Sequence, residues 1–145
     1  MKHLSFFCIL SLIVSVLAGQ QPAPGQIALI PQPASLSVGS GAFTLPDNIV
    51  IIIPNNEEVK KIADLLSKRL AVTSKSLRIE PGNAPAANSI FFSLAPASKL
   101  PKEGYNLKVT NSGVSLSATE PAGLFYGVQT LIQLLPKQIE AKEAQ

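Results

Sequence analysis

The stretch from Pro121 to Pro136 carries no charged residue. Its apolar residues, Leu124, Phe125, Val128, Leu131, Ile132 and Leu135, recur on one face at helical period. A helix at the edge of a soluble domain normally carries charge on its outer face. An uncharged amphipathic helix is therefore predicted to be covered on both sides, by its own sheet and by a partner. Tyr126, Thr130 and Leu134 lie off the main stripe, which makes them the candidate contact residues for that partner.

The residues before this helix fit a hairpin. Tyr105, Leu107 and Val109 alternate with polar residues, as do Val114, Leu116 and Ala118. Between them Thr110 to Gly113 makes a tight turn, with Gly113 free to take positive φ. Thr119 is the expected cap of the helix, and Pro136 its end. Upstream, Ile27 to Ile30 reads as a short strand, and Gly39-Ser40-Gly41 as a hairpin turn between Ser35–Val38 and Ala42–Thr44. The β-branched run Ile49 to Ile53 predicts a central strand buried on both faces. Asn55 with Glu58 then has the pattern of a capping box. It opens a helix whose Val59, Ile62, Ala63, Leu66 and Leu70 face inward, with Lys60, Lys61, Asp64 and Lys68 outward. Leu77 to Glu80 and Ser89 to Leu94 are further strands, separated by a proline- and glycine-rich loop. The expected fold is α+β: a mixed, largely antiparallel sheet with two helices packed on one face.

Residues 1–18 have the form of a secretory signal peptide. Lys2 and His3 precede an apolar run from Leu4 to Leu17, and Val16-Leu17-Ala18 is a cleavage site with small residues at its key positions. The run is shorter than the ~20 residues of a bilayer span. Residues 19–26 are expected to form a mobile leader, 27–136 the folded domain, and 137–145 a polar tail or a truncated linker. The expected destination is the periplasm or the cell exterior, with no membrane attachment after cleavage.

Export would change the chemical inventory. Cys8 and His3 are the sole cysteine and histidine of the chain. A mature chain without them has no disulfide, no His- or Cys-based zinc site and no Ser-His-Asp or Cys-His arrangement. No cofactor or metal is expected. The formal charge of +3 comes from scattered basic residues, with no basic stripe and stacking aromatics to take up nucleic acid.

Glu57-Glu58 is the one adjacent acidic pair, and it sits where a helix start favours negative charge. Glycoside hydrolysis generally uses two carboxylates flanking the scissile bond. The remaining acids, Asp47, Asp64, Glu80, Glu103, Glu120, Glu140 and Glu143, are dispersed, so no catalytic residue is assigned. Tyr105 falls with Leu107 and Val109 on the inward face of its strand. Without tryptophan the chain is a poor candidate for direct glycan binding.

Three segments together carry a resemblance. They are Glu103-Gly104-Tyr105-Asn106-Leu107-Lys108-Val109, Gly113-Val114-Ser115-Leu116-Ser117-Ala118, and Gly123-Leu124-Phe125-Tyr126-Gly127-Val128-Gln129-Thr130-Leu131. With Ile30-Pro31-Gln32-Pro33 and Phe43-Thr44-Leu45 upstream, residues 27 to 136 resemble the non-catalytic N-terminal domain of the β-N-acetylhexosaminidases of glycoside hydrolase family 20. The resemblance implies a following (β/α)8 barrel as partner. In the family that barrel carries an adjacent Asp-Glu pair, the Glu serving as acid/base. The Asp orients the substrate's acetamido group, which acts as internal nucleophile. No Asp-Glu dipeptide occurs in this sequence. The resemblance thus implies an accessory domain, here in a truncated chain that is inactive alone. Two other readings remain open: a freestanding exported binding or interaction module, and the similar N-terminal domain of another retaining glycosidase family, such as the α-glucuronidases or the O-GlcNAcase-like enzymes.

Overall fold

The computed structural model describes residues 27–71 and 76–136. The expected signal peptide, leader and tail lie outside the described residues. The elements run β1 (Asn48–Ile53), α1 (Glu57–Ala71), β2 (Ser76–Pro81), β3 (Ser89–Leu94), β4 (Tyr105–Thr110), β5 (Gly113–Ala118) and α2 (Pro121–Gln133). The five strands form one sheet in the order β2-β1-β3-β5-β4. Both helices pack on one face of it and against each other. The α+β class, the mixed sheet and the shared helix face agree with the sequence.

The senses of the strands do not. β1 pairs in parallel with both β2 and β3, and β3 in parallel with β5. The β4–β5 hairpin is the antiparallel ladder. The sheet is mixed but mostly parallel, not largely antiparallel. Two crossovers make β1 parallel to β2 and β3, and β5 is parallel to β3 because it returns between β3 and its antiparallel partner β4. α1 carries the chain back over one face, from the end of β1 to the start of β2. Residues 82–88, with a bend at 83–84 and a turn at 87–88, then make the second crossing, from β2 past β1 to β3. The Gly82 amide donates to the Ile53 carbonyl at one end of the crossing, and the Asn88 amide to the Ser112 carbonyl at the other. Seven residues reach at most ~25 Å, enough to run back along one strand. The crossing covers Ile52, which is 9% exposed, while Ile49, Ile51 and Ile53 enter the core on the helix side. That is why β1 is β-branched without alternation.

Each helix starts one residue later than its expected cap. For α1 the cap is Asn56, not Asn55. Its Oδ1 accepts the Val59 amide at 3.0 Å, and its carbonyl accepts the first helical bond, from Lys60. Either asparagine suits the role. Capping at Asn56 places Val59 in the third helical position, where it is fully buried. Glu58 falls one position short of completing a capping box. For α2 the residue before the helix is Glu120, with no side-chain cap, and Pro121 occupies the first turn. The Thr119 hydroxyl instead donates to the Leu100 carbonyl at 3.1 Å and meets the Ser98 hydroxyl at 2.7 Å.

Residues 27–47 form neither the expected strand nor the hairpin. Pro31 and Pro33 remove ladder donors, and other contacts fix the segment. Ile30 is tied to Gln133 of α2, Gly41 packs against the Asn111 side chain, and Phe43 and Leu45 close the core.

α2 sits deep on the sheet. A Cβ at Gly123 would overlap the Gly104 carbonyl oxygen and come 2.8 Å from the Ala118 Cβ. One at Gly127 would overlap the Leu116 side chain. The buried arc is accordingly Gly123, Leu124, Gly127, Val128, Thr130 and Leu131. Placing glycines against the sheet rotates Phe125 out of the expected inward stripe, and it is 41% exposed.

Replacing a helical glycine by alanine usually gains up to about 1 kcal/mol. At Gly123 the sign is expected to reverse, because the obstructing Gly104 oxygen is backbone. Gly123→Ala should cost about 1–3 kcal/mol as an overpacking change. A thermal melt lowered by several degrees checks this, and an unchanged or raised midpoint contradicts the packing depth.

Candidate functional site

The outward face of α2 is built from Ala122, Phe125, Tyr126, Gln129 and Gln133. The Phe125 and Tyr126 rings meet edge to face, with centroids 5.6 Å apart and planes at 74°. Each ring is over 40% exposed. At the C-terminal end of this face the Gln133 amide grips the backbone of Ile30. Its Oε1 accepts the Ile30 amide and its Nε2 donates to the Ile30 carbonyl, both at 2.9 Å. A primary amide offers one donor side and one acceptor side, which matches one residue's N–H and C=O.

The three residues singled out from the sequence do not share a surface. Tyr126 lies on the outward face. Thr130 points inward and is 9% exposed, with its hydroxyl 2.5 Å from that of Tyr105. Tyr105 thus packs inward on its strand, as expected, and its polar tip is satisfied by Thr130. Leu134 is half-buried at the mouth of an apolar cavity of about 340 Å³, with Phe43, Leu45, Leu131 and Leu135 among its walls. A charge at Leu134 would therefore disturb the core end of the domain. Phe125, Gln133 and Ile30 were missed from the sequence. Phe125 fits the inward stripe by period alone. The Gln133–Ile30 contact joins residues 103 positions apart, which no local pattern reveals.

The acids do not converge. Glu57 and Glu58 stand exposed in the first turn of α1, Glu80 pairs with Arg78 on β2, and Glu120 lies 3.9 Å from Lys102. Among the described residues no group of three or more histidine, cysteine, aspartate or glutamate side chains could hold a metal. Among them, too, no helix is long and apolar enough to cross a membrane.

A compact α+β unit with an uncharged helix face and dispersed acids defines a domain whose distinctive feature is a surface. The chain belongs to glycosyl hydrolase family 20, domain 2, whose family model matches residues 26–145. It is 35% identical over 150 residues to a beta-hexosaminidase of Porphyromonas gingivalis (strain ATCC BAA-308 / W83), covering 97% of this chain and 19% of that protein. The structure is similar to the GH20 beta-N-acetylhexosaminidase of Streptomyces coelicolor A3(2), with a TM-score of 0.66 and 32% identity. It is likewise similar to the N-acetyl-beta-hexosaminidase of Streptomyces plicatus, with a TM-score of 0.68 and 32% identity. Each of these two matches covers 74% of this chain and 21% of the other. The chain spans about a fifth of the length of these relatives.

The placements separate two substitutions that look alike in sequence. Thr130→Lys buries an ammonium and strips Tyr105 of its partner, so it should cost ~2–5 kcal/mol. Tyr126→Lys sits on the outward face and should stay within ~0.5 kcal/mol of the parent chain. Urea denaturation of both variants checks the order, and equal losses would contradict the inward placement of Thr130.

Proposed function

We propose that this chain is the accessory domain of an exported β-N-acetylhexosaminidase and that it buttresses the catalytic domain through the outward face of α2. The observation that carries this reading is the exposed Phe125–Tyr126 pair on a helix face without charge. Contiguous exposed apolar surface on a soluble domain marks a partner site. The family membership and the hexosaminidase relatives supply the kind of partner. Tyr126 is the contact residue retained from the sequence, joined by Phe125. Thr130 acts behind the face by holding Tyr105, and Leu134 belongs to the apolar cavity and not to the face.

The reaction of the whole enzyme would be hydrolysis of terminal N-acetylhexosamine residues from glycans. The acid/base glutamate and the orienting aspartate would belong to the partner barrel, since no Asp-Glu pair is present in the 145 residues. The amino-terminal signal pattern supports export to the periplasm or the exterior.

Two measurements test this reading. The purified chain should release no chromophore from a chromogenic N-acetylglucosaminide above a buffer blank. Exchanging the matching segment of the Porphyromonas gingivalis beta-hexosaminidase for this chain should give an active enzyme that melts in one transition. Tyr126→Lys in that chimera should lower the melting temperature and increase protease nicking. A chimera that is inactive, or whose two parts melt independently, would count against the buttressing role.

A further inference from the structure

Large apolar residues are exposed unevenly in this molecule. Among the described residues Ile27, Ile30, Leu36 and Val38 are exposed in the amino-terminal segment and Phe125 and Tyr126 on α2, the others being Leu65 and Val109, with Ile30 the most exposed at 82%. No charged residue occurs between Ile27 and Pro46, just as none occurs between Pro121 and Pro136. Uncharged stretches also run from Pro81 to Ser98 and from Val109 to Thr119; charge is carried by other parts of the surface. α1 shows Lys60, Lys61 and Lys68, and the sheet face away from the helices shows Arg78, Glu80 and Lys108. The stretches 27–46 and 121–136 meet where Gln133 holds both backbone polar groups of Ile30. Gln133 lies two helical turns from Tyr126 on the same side of α2, so Ile30 prolongs the face that begins at Phe125 and Tyr126.

We infer that residues 27–38, clamped at Ile30 by Gln133, form the second half of the docking surface, and that the Ile30 side chain is its anchor against the catalytic domain. The inference rests on the buttressing role proposed above. The clamp fixes the Ile30 backbone in advance, and Pro31 and Pro33 stiffen the chain beside it. A side chain held this way meets its partner with little further loss of conformational freedom. Among the described residues nothing covers the Ile30 side chain, which is 82% exposed. Anchors of interfaces are apolar groups that fill a partner's pocket.

The occupant follows from the relatives. In the Porphyromonas gingivalis beta-hexosaminidase the matched part is 19% of the protein, so about four fifths of that polypeptide lies outside this domain. A tethered body of that size is present at high effective concentration. A surface without charge suits a permanent contact of that kind, since obligate interfaces are the more hydrophobic ones. Association of soluble, separately folded partners tends to leave charge at the rim.

The test uses the chimera described above together with the 145-residue chain alone. Ile30→Lys should leave the melting temperature of the chain alone unchanged. In the chimera it should lower the melting temperature and speed proteolytic release of the domain at least tenfold. Gln133→Ala should act in the same direction by freeing the segment. Lys108→Glu, on the opposite sheet face, should do neither. If the unsubstituted chimera fails to behave as one unit, the buttressing role itself falls. If it does so behave and Ile30→Lys changes nothing, the anchor is wrong and the buttressing role stands. Sedimentation of the chain alone adds a third outcome. A stable dimer that Ile30→Lys dissolves would make a second copy of this chain the occupant, and would overturn the assignment to the catalytic domain.

Discussion

The structure depends on how closely α2 approaches the sheet. Gly123 and Gly127 let the helix settle onto Gly104, Ala118 and Leu116, with no room for a Cβ at either position. At that depth Leu124 and Val128 are fully buried and Thr130 reaches the Tyr105 hydroxyl. The same depth sets the helix rotation. With the glycine side down, Phe125 and Tyr126 turn outward, and Gln133 is left where it can take hold of Ile30. Packing, polar satisfaction and the exposed surface are three consequences of one close contact, in keeping with interiors that are dense and deform little.

The opposite sheet face shows how a mostly parallel sheet is closed in a small domain. Parallel neighbours require crossovers. One is α1. The other is the 82–88 segment, whose Gly82 bonds the Ile53 carbonyl and lies against the Ile52 side chain. Gly82 passes the Ile52 side chain at a distance that a Cβ would violate. The face opposite the helices carries Arg78, Glu80 and Lys108, and on the helix side α1 carries Lys60, Lys61 and Lys68, which leaves α2 as the helix without charge.

The candidate site was partly legible in the sequence. The missing charges between Pro121 and Pro136 made α2 the candidate contact helix, and Tyr126 is exposed on its outward side. Helical period alone could not tell which apolar residues faced the sheet. Leu124, Phe125, Val128, Leu131, Ile132 and Leu135 fit one stripe on a helical projection, but that projection gives no weight to the glycines beside them. The glycines decide the rotation, so Phe125 moved out and Thr130 moved in. Ile30 had no local signature at all, because its position is fixed by a side chain at the other end of the domain.

What the sequence determined by itself was local: the strands near Ile49–Ile53, Leu77–Glu80, Ser89–Leu94, Tyr105–Thr110 and Gly113–Ala118, the two helices, the turn from Thr110 to Gly113, and the absence of an Asp-Glu pair. These follow from alternation, helical period and turn chemistry, which act over a few residues. Only the tertiary structure decided the strand senses, the caps at Asn56 and Glu120, the rotation of α2 and the clamp on Ile30. Those outcomes are settled by which groups find partners across the fold. Val59 must reach the core, Tyr105 needs Thr130, the Ile30 backbone needs Gln133, and β1 must be covered on both faces. Such pairings join residues far apart in the chain, and their energies exist only once the layers have come together.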